Sequence, residues 1–546
     1  MEKRRSSLLV IAAWLVLPAL MMRGGDDHAA LKPEFQTSDR CVACHNQLTT
    51  PAGRDVSIGL QWRSSIMANA SRDPYWQASV RRETMDQKGA AREIEDECSI
   101  CHMPITGYEA KERGEKGEVF SFLPFNAHPR SSAAAEDGVT CSVCHQISKA
   151  RLGTRASFNG EFVVTTPPNR HDRPEYGPFE VTPAHQQIMD TSTGGYLPTL
   201  AEHIRDSALC GSCHQLYTTA RDAAGKPIGT LPEQVPYLEW LHSDYPGAYT
   251  CQACHMPEVN EPVPISSVLG EPRAGVRRHV FTGGNFLVLR MLNRYRGELN
   301  VAALPGELET SAEGTLDFLH TQAARVSIGK VEEAAGKLQA EVLVQNLTGH
   351  KLPTAYPSRR AWLHFVVTGQ KGRIVFESGA LNPNGSIQGN DNDADKTRYE
   401  PHYREITSSD QVQIYEPILK DSDNKVTTGL TAAVGYLKDN RLLPAGFDKR
   451  TAEKDIAVAG AAVDDPNFTG GSDLVRYSVP IGNAAGPFHV EVELWYQPIG
   501  FRWAHNLEPY NAKETQNIVN YYDSMADASA TVLARAEASV QEAGSK

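Results

Sequence analysis

All ten cysteines of this 546-residue chain occur in pairs, and a histidine follows the second cysteine of every pair. The spacing Cys-x-x-Cys-His is the attachment signature of c-type haem, because two thiols can add to the vinyl groups of one porphyrin while the histidine ligates its iron. The sequence therefore predicts five covalently bound c-type haems. Their predicted thioether cysteines and proximal histidines are Cys41, Cys44 and His45; Cys98, Cys101 and His102; Cys141, Cys144 and His145; Cys210, Cys213 and His214; and Cys251, Cys254 and His255.

Zinc sites and disulfides are the two rival explanations of these cysteines. A zinc ribbon uses cysteine pairs two at a time, so five pairs would leave one pair without a partner. Disulfides suit an exported chain. Neither alternative explains a histidine directly after every second cysteine, so haem attachment is the stronger interpretation.

Each haem iron has a second axial position, and thirteen of the eighteen histidines lie outside the motifs. His185 and His203 lie upstream of the fourth motif, among the predicted haem sites, and we favour both as distal ligands. Met67 and His128 compete for a further position, since a thioether is also an accepted axial ligand. The alternative for each of these residues is that it is an ordinary surface or core side chain and ligates no iron. Reserve candidates are His171, His242 and His320.

A second candidate site is the acidic segment that contains Asp391, Asp393 and Asp395. Carboxylates at alternate positions suit calcium, although the segment lacks the glycine and the terminal glutamate of an EF-hand loop. A solvated acidic loop is the favoured alternative. The chain shows no nucleophilic serine motif, phosphate-binding loop or zinc-hydrolase motif, so no catalytic residue is assigned.

The spacing of apolar residues divides the chain into a multi-domain arrangement. Residues 31–324 hold every motif in long, irregular segments, which predicts a mainly α or irregular pentahaem domain. Residues 325–505 alternate apolar and polar side chains, which predicts an all-β, sandwich-like domain. Residues 506–546 predict a C-terminal helical segment with one apolar side. The alternating positions include Val326 and Ile328; Leu338, Ala340, Val342 and Val344; Val412 and Ile414; and Val490, Val492 and Leu494.

Residues 1–30 are typical of a signal peptide or an N-terminal anchor. Lys3, Arg4 and Arg5 precede an apolar run at 8–22, which is short for a membrane span. We therefore expect a periplasmic or extracellular protein that contacts the membrane only if this segment stays uncleaved. The net charge of -12 argues against a nucleic-acid partner and suits redox protein partners.

Beyond the motifs, several short segments carry a family resemblance. They are Asp137-Gly138-Val139-Thr140, Glu239-Trp240-Leu241, Arg278-His279-Val280-Phe281, Gly283-Gly284-Asn285 and Gly349-His350-Lys351-Leu352-Pro353-Thr354. With the five motifs, they resemble the multihaem c-type cytochromes of the broad class that includes the nitrite-reductase and hydroxylamine-oxidoreductase cytochromes.

The resemblance implies closely packed and mostly six-coordinate haems. It also implies that His279 is a distal ligand and that the β-domain lends His350 to a haem iron. One departure matters, because the pentahaem nitrite reductases use lysine in place of histidine at the catalytic haem motif. All five motifs here end in histidine, which argues against nitrite reduction.

These observations predict an exported pentahaem cytochrome that transfers electrons between redox partners and is more an electron-transfer protein than a catalyst. One alternative is a multihaem oxidoreductase that acts on a small nitrogen or sulfur compound at one open haem. Another is a subunit of an extracellular cytochrome assembly, or a homo-oligomer.

Overall fold

The computed structural model describes residues 35–127 and 132–540. The predicted signal segment at 1–30 and the candidate ligand His128 lie outside the described residues. The described residues belong to one compact unit, so the domain boundaries expected near 324 and 505 remain predictions. Below, residues 35–323 are called the motif region and residues 324–540 the β-region.

The motif region consists mainly of short helices joined by irregular segments. Its helices are α1 (Asp39–Val42), α2 (Ile58–Arg63), α3 (Pro74–Asp86), α4 (Ala91–His102), α5 (Pro104–Glu112), α6 (Ala133–Glu136), α7 (Cys141–Gln146), α8 (Pro183–Thr193), α9 (Ser207–Gly211), α10 (Pro236–Leu241), α11 (Cys251–His255), α12 (Phe286–Arg294) and α13 (Pro305–Gln322). Four strands form two small pairs: β1 (Arg173–Gly177) lies parallel to β2 (Tyr196–Leu200), and β3 (Leu216–Arg221) lies antiparallel to β4 (Pro227–Gln234).

Each of the five motifs lies on or beside a short helix. The fifth motif occupies α11, the third begins α7, and the second ends α4. In a helix, residues at i, i+3 and i+4 share one face. The two cysteines and the histidine of a motif have this spacing, so one helical turn directs both thiols and the imidazole to the same side.

The β-region contains three sheets, one of them small. Its strands are β5 (Ala324–Ala334), β6 (Lys337–Asn346), β7 (Arg360–Thr368), β8 (Ile374–Ser378), β9 (Glu405–Ile406), β10 (Ile414–Tyr415), β11 (Pro417–Asp421), β12 (Val426–Thr427), β13 (Ala433–Asp439), β14 (Ser472–Pro480), β15 (Phe488–Gln497) and β16 (Thr531–Val540). One sheet has the order β10-β7-β15-β16 with β8 beside β7, another has the order β5-β6-β14-β9, and the third has the order β12-β11-β13.

The two larger sheets pack against each other through buried aromatic side chains. Phe365 on β7 stacks on Tyr477 of β14, with ring centroids 3.7 Å apart. The alternating residues of β6 and β15 that the sequence singled out are buried in the same core. Burying each such apolar side chain contributes about 1.5–3 kcal/mol, which explains why the period-two pattern identified these strands.

The C-terminal segment differs from the predicted helix. Helix α16 (Lys513–Asp523) forms part of it, following the short α15 (Phe501–His505), but β16 continues the chain as a strand antiparallel to β15. The alanine and glutamate content of this segment favours a helix. Pairing with β15 overrides that preference, because β16 completes the edge of the sheet and its side chains alternate between the core and solvent.

Helix α12 connects the motif region with the β-region. Its residues Phe286, Leu287 and Val288 are fully buried and belong to the same apolar cluster as the residues of β6. Asn285 begins the helix by accepting a hydrogen bond from the Val288 amide at 3.1 Å. Among the described residues, no helix is long and apolar enough to cross a membrane.

Candidate haem site

A single cavity of about 910 Å³ runs through the motif region. All ten motif cysteines and all five motif histidines line it, and Gly349 and His350 of the β-region reach it as well. None of the cysteines forms a disulfide. The arrangement therefore leaves all ten thiols available for thioether bonds along one continuous cavity wall, as the predicted attachment chemistry requires.

The motifs meet in pairs along this wall. The thiols of Cys41 and Cys141 lie close enough for each to shift the pKa of the other, which brings the first and third motifs together. Equivalent contacts join the second motif to the fourth and the fourth to the fifth. They are formed by Cys101 with Cys213 and by Cys210 with Cys251. The fourth motif is therefore the branch point of the arrangement.

Four of the five motif histidines are oriented by the same kind of hydrogen bond. A main-chain carbonyl only accepts, so the ring proton sits on Nδ1 and Nε2 keeps its lone pair for a metal. The bonds run from His45 to Ile265 at 2.5 Å, from His102 to Ala70 at 3.0 Å, from His145 to Tyr176 at 2.6 Å and from His255 to Thr282 at 2.5 Å.

His214, in the fourth motif, lacks this support. Its ring forms no hydrogen bond with another described residue, and its pKa is lowered to about 4 by burial and by the nearby His255 and Arg359. A proximal histidine without a carbonyl partner donates less electron density to its metal. The fourth motif therefore differs from the other four in a property that its sequence does not reveal.

Two motif histidines lie opposite a second histidine that also lines the cavity. The ring centroids of His145 and His279 are 6.4 Å apart with planes 19° apart, and those of His255 and His350 are 6.3 Å apart with planes 12° apart. Two metal–imidazole bonds of about 2 Å each, plus the two rings, span roughly this separation. Nδ1 of His279 and of His350 also donates to a carbonyl, that of Arg277 at 3.1 Å and that of Lys351 at 2.9 Å. Both pairs fit an iron held between two imidazoles.

Burial keeps the cavity histidines neutral. It lowers the pKa of His102 to about 4, that of His279 to about 3 and that of His350 to about 4. Burial likewise lowers the pKa of His45 and His145. Because metals bind the neutral imidazole, these rings are in their ligand form at neutral pH.

The structure does not bring His185 and His203 opposite a motif histidine. His185 lines the cavity, but its Nδ1 contacts the Thr182 hydroxyl at 2.7 Å and its Nε2 donates to the Leu269 carbonyl at 2.9 Å. Nε2 of His203 donates to the Ile147 carbonyl at 2.8 Å. Neither histidine has a free Nε2 in this arrangement, so their ligand roles remain predictions.

Met67 lines the cavity, and its carbonyl accepts a hydrogen bond from the Val139 amide just before the third motif. Its thioether forms no hydrogen bond with a motif histidine among the described residues. The reserve histidines lie away from the cavity wall, where His171 contacts Asp190, His242 contacts the Leu238 carbonyl and His320 contacts Thr531.

The three aspartates of the candidate calcium segment do not converge. The segment forms the short helix α14 (Asp391–Ala394), and each carboxylate has its own protein partner. Asp393 is buried against Arg360 in two bonds of 2.8 and 2.9 Å, Asp391 pairs with Arg398, and Asp395 accepts from Thr397. This geometry does not support a calcium ion at these residues.

One other group in the described part of the chain is tight enough to resemble a metal site. Potential ligand atoms of the buried His402, Asp465 and Asp473 lie within 4.8 Å of one another. However, Nδ1 of His402 accepts hydrogen bonds from the side-chain amides of Gln413 at 2.8 Å and Asn440 at 3.1 Å. The ring proton must then be on Nε2, which donates to Asp465 at 3.1 Å.

The orientation of these two amides follows from their other bonds. The Gln413 carbonyl oxygen accepts from the Tyr403 amide, and the Asn440 carbonyl oxygen accepts from the Glu416 amide. Each side chain therefore turns its NH₂ group toward His402. Both ring nitrogens of His402 are committed to protein hydrogen bonds, so His402 has a structural role in the β-region and no lone pair free for a metal.

Sequence reasoning missed the groups that orient the motif histidines. Four of them are main-chain carbonyls, which every residue type offers, so no sequence signal could have located them. Trp76 is a side-chain example, because its ring lies 4.4 Å from that of His102 with the planes 3° apart. A tryptophan 22 residues before its motif cysteine carries no periodic signal of this contact.

Comparison with known proteins gives one likeness, and it is structural. No family model matches the chain, and no curated protein matches it. A crystal structure of a penta-heme cytochrome c552 from Thermochromatium tepidum superposes with a TM-score of 0.51 at 16% sequence identity, covering 93% of this chain and 99% of that chain. At this identity the likeness is one of fold. The chain thus has the fold of a penta-heme cytochrome.

Proposed function

We propose that this chain is an exported pentahaem c-type cytochrome that transfers electrons between redox partners. The observation that carries the proposal is the set of cavity-wall histidines whose Nδ1 donates to a carbonyl while Nε2 has no hydrogen bond to a described residue. Ten unpaired thiols on the same wall fit covalent attachment at all five motifs. The structural neighbour is itself described as a penta-heme cytochrome.

The contacts between motifs suggest the order of an electron path. The first motif touches the third through Cys41 and Cys141, and the fourth touches the fifth through Cys210 and Cys251. Cys144 of the third motif lies close enough to Cys213 of the fourth for Cys213 to add to the rise that burial causes in the pKa of Cys144. We infer a path from the first motif through the third and fourth to the fifth, with the second motif beside the fourth.

The bound haems would supply reversible one-electron chemistry, and the residues of the chain would tune it. Axial ligand identity and burial are the main controls on a haem potential. We assign His279 as the second ligand at the third motif and His350 at the fifth. His185, His203, Met67 and His128 remain the proposed sources of ligands for the other motifs.

Intact mass and optical titration test this function together. The mature protein should weigh more than its polypeptide by five haem groups, and its N-terminus should lie near residue 30 if export removes the signal segment. Stepwise reduction should show low-spin haem spectra that titrate over several potentials. A mass increment other than five haems would contradict the proposal.

A second candidate function is catalysis at an open haem. The motif histidines His45, His102 and His214 have no second histidine in ring contact among the described residues, unlike the two paired motifs. The cavity wall also includes polar side chains away from the motifs, among them Asp73, Tyr75, Tyr356 and Arg359. These features suit an oxidoreductase for a small nitrogen or sulfur compound.

Cyanide titration of the ferric protein separates the two functions. An open haem should bind cyanide within seconds and lose a high-spin signal, whereas a six-coordinate haem should respond only slowly or at high concentration. Tight binding at one haem would favour the catalytic alternative. A fully low-spin protein that resists cyanide would favour electron transfer alone.

A further inference from the structure

The loop that carries His350 is attached to the motif region through one buried glutamate. Glu239 lies on α10 and is fully buried. Its Oε2 accepts hydrogen bonds from the main-chain amide of Lys351 at 3.1 Å and from the hydroxyl of Thr354 at 2.5 Å. Glu239 therefore holds the loop by hydrogen bonds to residues just after His350, the histidine that lies opposite the fifth motif.

Glu239 also belongs to a buried cluster of four charges. Lys351 Nζ contacts Asp439 at 2.7 Å, and Arg441 bridges Asp439 at 2.8 Å and Glu239 at 3.1 Å. The four side chains are no more than 4% exposed. Burial would raise the pKa of Asp439, but Arg441 and Lys351 outweigh it and hold that pKa below its ordinary value. Two cations and two anions therefore balance within one buried cluster.

Only one of these four charges comes from the motif region. Lys351, Asp439 and Arg441 belong to the β-region, so the cluster is neutral only when Glu239 is docked against them. A buried charge that loses its partner is strongly unfavourable. The electrostatics therefore favour a single position of the His350 loop relative to α10, and α10 precedes the fifth motif by ten residues.

The other side of the loop is held by neutral hydrogen bonds. The Tyr245 hydroxyl donates to the Leu347 carbonyl at 2.7 Å, and the Asn346 amide donates to the His350 carbonyl at 2.8 Å. Gly349 packs so closely that a Cβ there would lie 3.1 Å from the Tyr245 ring. The loop is thus held at both ends, but only the Glu239 end carries charge.

We propose that Glu239 is a positioning residue for His350, and that it holds the imidazole opposite His255 by neutralising Lys351 and Arg441 while accepting the loop hydrogen bonds. The inference rests on the proposed function, because it takes His350 as the axial ligand at the fifth motif. Glu239 touches neither ring. It acts through the loop, in the way that outer-shell groups orient metal ligands elsewhere.

Three substitutions test the role in graded steps. Glu239→Ala removes both the charge and the acceptor, Glu239→Gln keeps the shape and an acceptor without the charge, and Thr354→Val removes one donor and alters no charge. Changes in outer-shell partners commonly cost about 10–100-fold in metal affinity. We expect the cyanide concentration that half-displaces His350 to fall about 100-fold in Glu239→Ala, about 10-fold in Glu239→Gln and least in Thr354→Val.

A spectroscopic readout distinguishes positioning from general destabilisation. In Glu239→Ala, one of the five haems should gain high-spin character and shift in potential, and added imidazole should restore its low-spin spectrum. The matched control is Glu416→Gln, which breaks a buried ion pair with Lys438 at 3.1 Å that has no atom on the His350 loop. The control should keep the wild-type spectrum and cyanide response.

The outcomes separate this inference from the function on which it rests. A folded Glu239→Ala protein with five haems, an unchanged spectrum and an unchanged cyanide response overturns the positioning role. An equal change in Glu416→Gln also overturns it, because the effect would then be one of general stability. A wild-type protein without covalent haem overturns the proposed function itself, and with it the inference.

Discussion

The histidines on the cavity wall of the motif region and the histidine in the core of the β-region have opposite hydrogen-bond patterns. At the wall, Nδ1 of His350 donates to a carbonyl, and Nε2 has no hydrogen bond to any described residue. In the β-core, Nδ1 of His402 accepts from two amides and Nε2 donates to Asp465. Burial lowers the pKa of both rings to about 4.

Desolvation and the lowered pKa that it causes therefore do not identify a metal ligand. Both histidines are neutral at pH 7. They differ in which nitrogen carries the proton and in whether the other nitrogen has a partner. The hydrogen-bond pattern therefore separates a candidate ligand from a structural histidine where composition and burial cannot.

Replacing the wall histidine should have the largest effect. In His350→Ala, the fifth motif loses the imidazole opposite His255, so one of the five haems should become high-spin and its potential should shift, because axial ligation is a main control on potential. Covalent haem content should stay at five by mass, since thioether attachment does not involve this residue. Electron paramagnetic resonance of the ferric protein makes the measurement. An unchanged spectrum in a folded variant would exclude His350 as an axial ligand.

Replacing the core histidine should change stability and leave the haems alone. His402→Ala removes one donor and one acceptor from a buried network, so Asp465, Gln413 and Asn440 each lose one hydrogen bond. Unsatisfied buried groups cost about 1–3 kcal/mol each, so we expect the free energy of unfolding to fall by about 3 kcal/mol in denaturant titrations. The haem spectra and the five-haem mass should match the wild type. A new high-spin haem signal in this variant would contradict the purely structural role of His402.

The pH dependence of stability tests the protonation of Asp473 in the core of the β-region. Burial and the nearby Asp465 raise the pKa of Asp473 to about 7 from its ordinary 3.8, although the Tyr415 hydroxyl opposes the shift. The folded protein then holds a proton that the unfolded chain releases, so stability falls as pH rises from about 4 to about 7 and is level above that range. Relative to Asp473→Asn, which has no such proton, the wild type should lose on the order of 2 kcal/mol between pH 5 and pH 7. Parallel stability curves for the two proteins would contradict the raised pKa.

Some of the predicted distal-ligand candidates lie opposite a motif histidine in the structure, and others do not. His279 and His350 were singled out through a family resemblance, and the structure brings each within 6.4 Å of a motif histidine. His185 and His203 were chosen for their place in the chain, and both have Nε2 engaged with a carbonyl. Nearness in sequence to a motif does not by itself place a ring opposite a motif histidine, because the ring must also approach from the opposite side of the cavity.

The strands of the β-region were predictable where apolar and polar residues alternate along the strand. Residues 338–344 and 490–494 follow period two and lie in β6 and β15. The segment at 531–540 has helix-forming residues and was predicted as helix, yet it forms β16. Its conformation depends on pairing with β15, which is a long-range contact that local propensity does not contain.

The sequence by itself determined the attachment chemistry, because a Cys-x-x-Cys-His motif places its thiols and imidazole on one helical turn wherever that turn lies. It also determined the positions of β5, β6 and β15, through a pattern of period two. Only the tertiary structure decided which motifs are neighbours, which histidine faces which, and that Glu239 closes a four-charge cluster with Lys351, Asp439 and Arg441. The physical reason is distance along the chain. Contacts between residues roughly 100–200 positions apart depend on the packing of whole elements, and a single sequence shows no local trace of them.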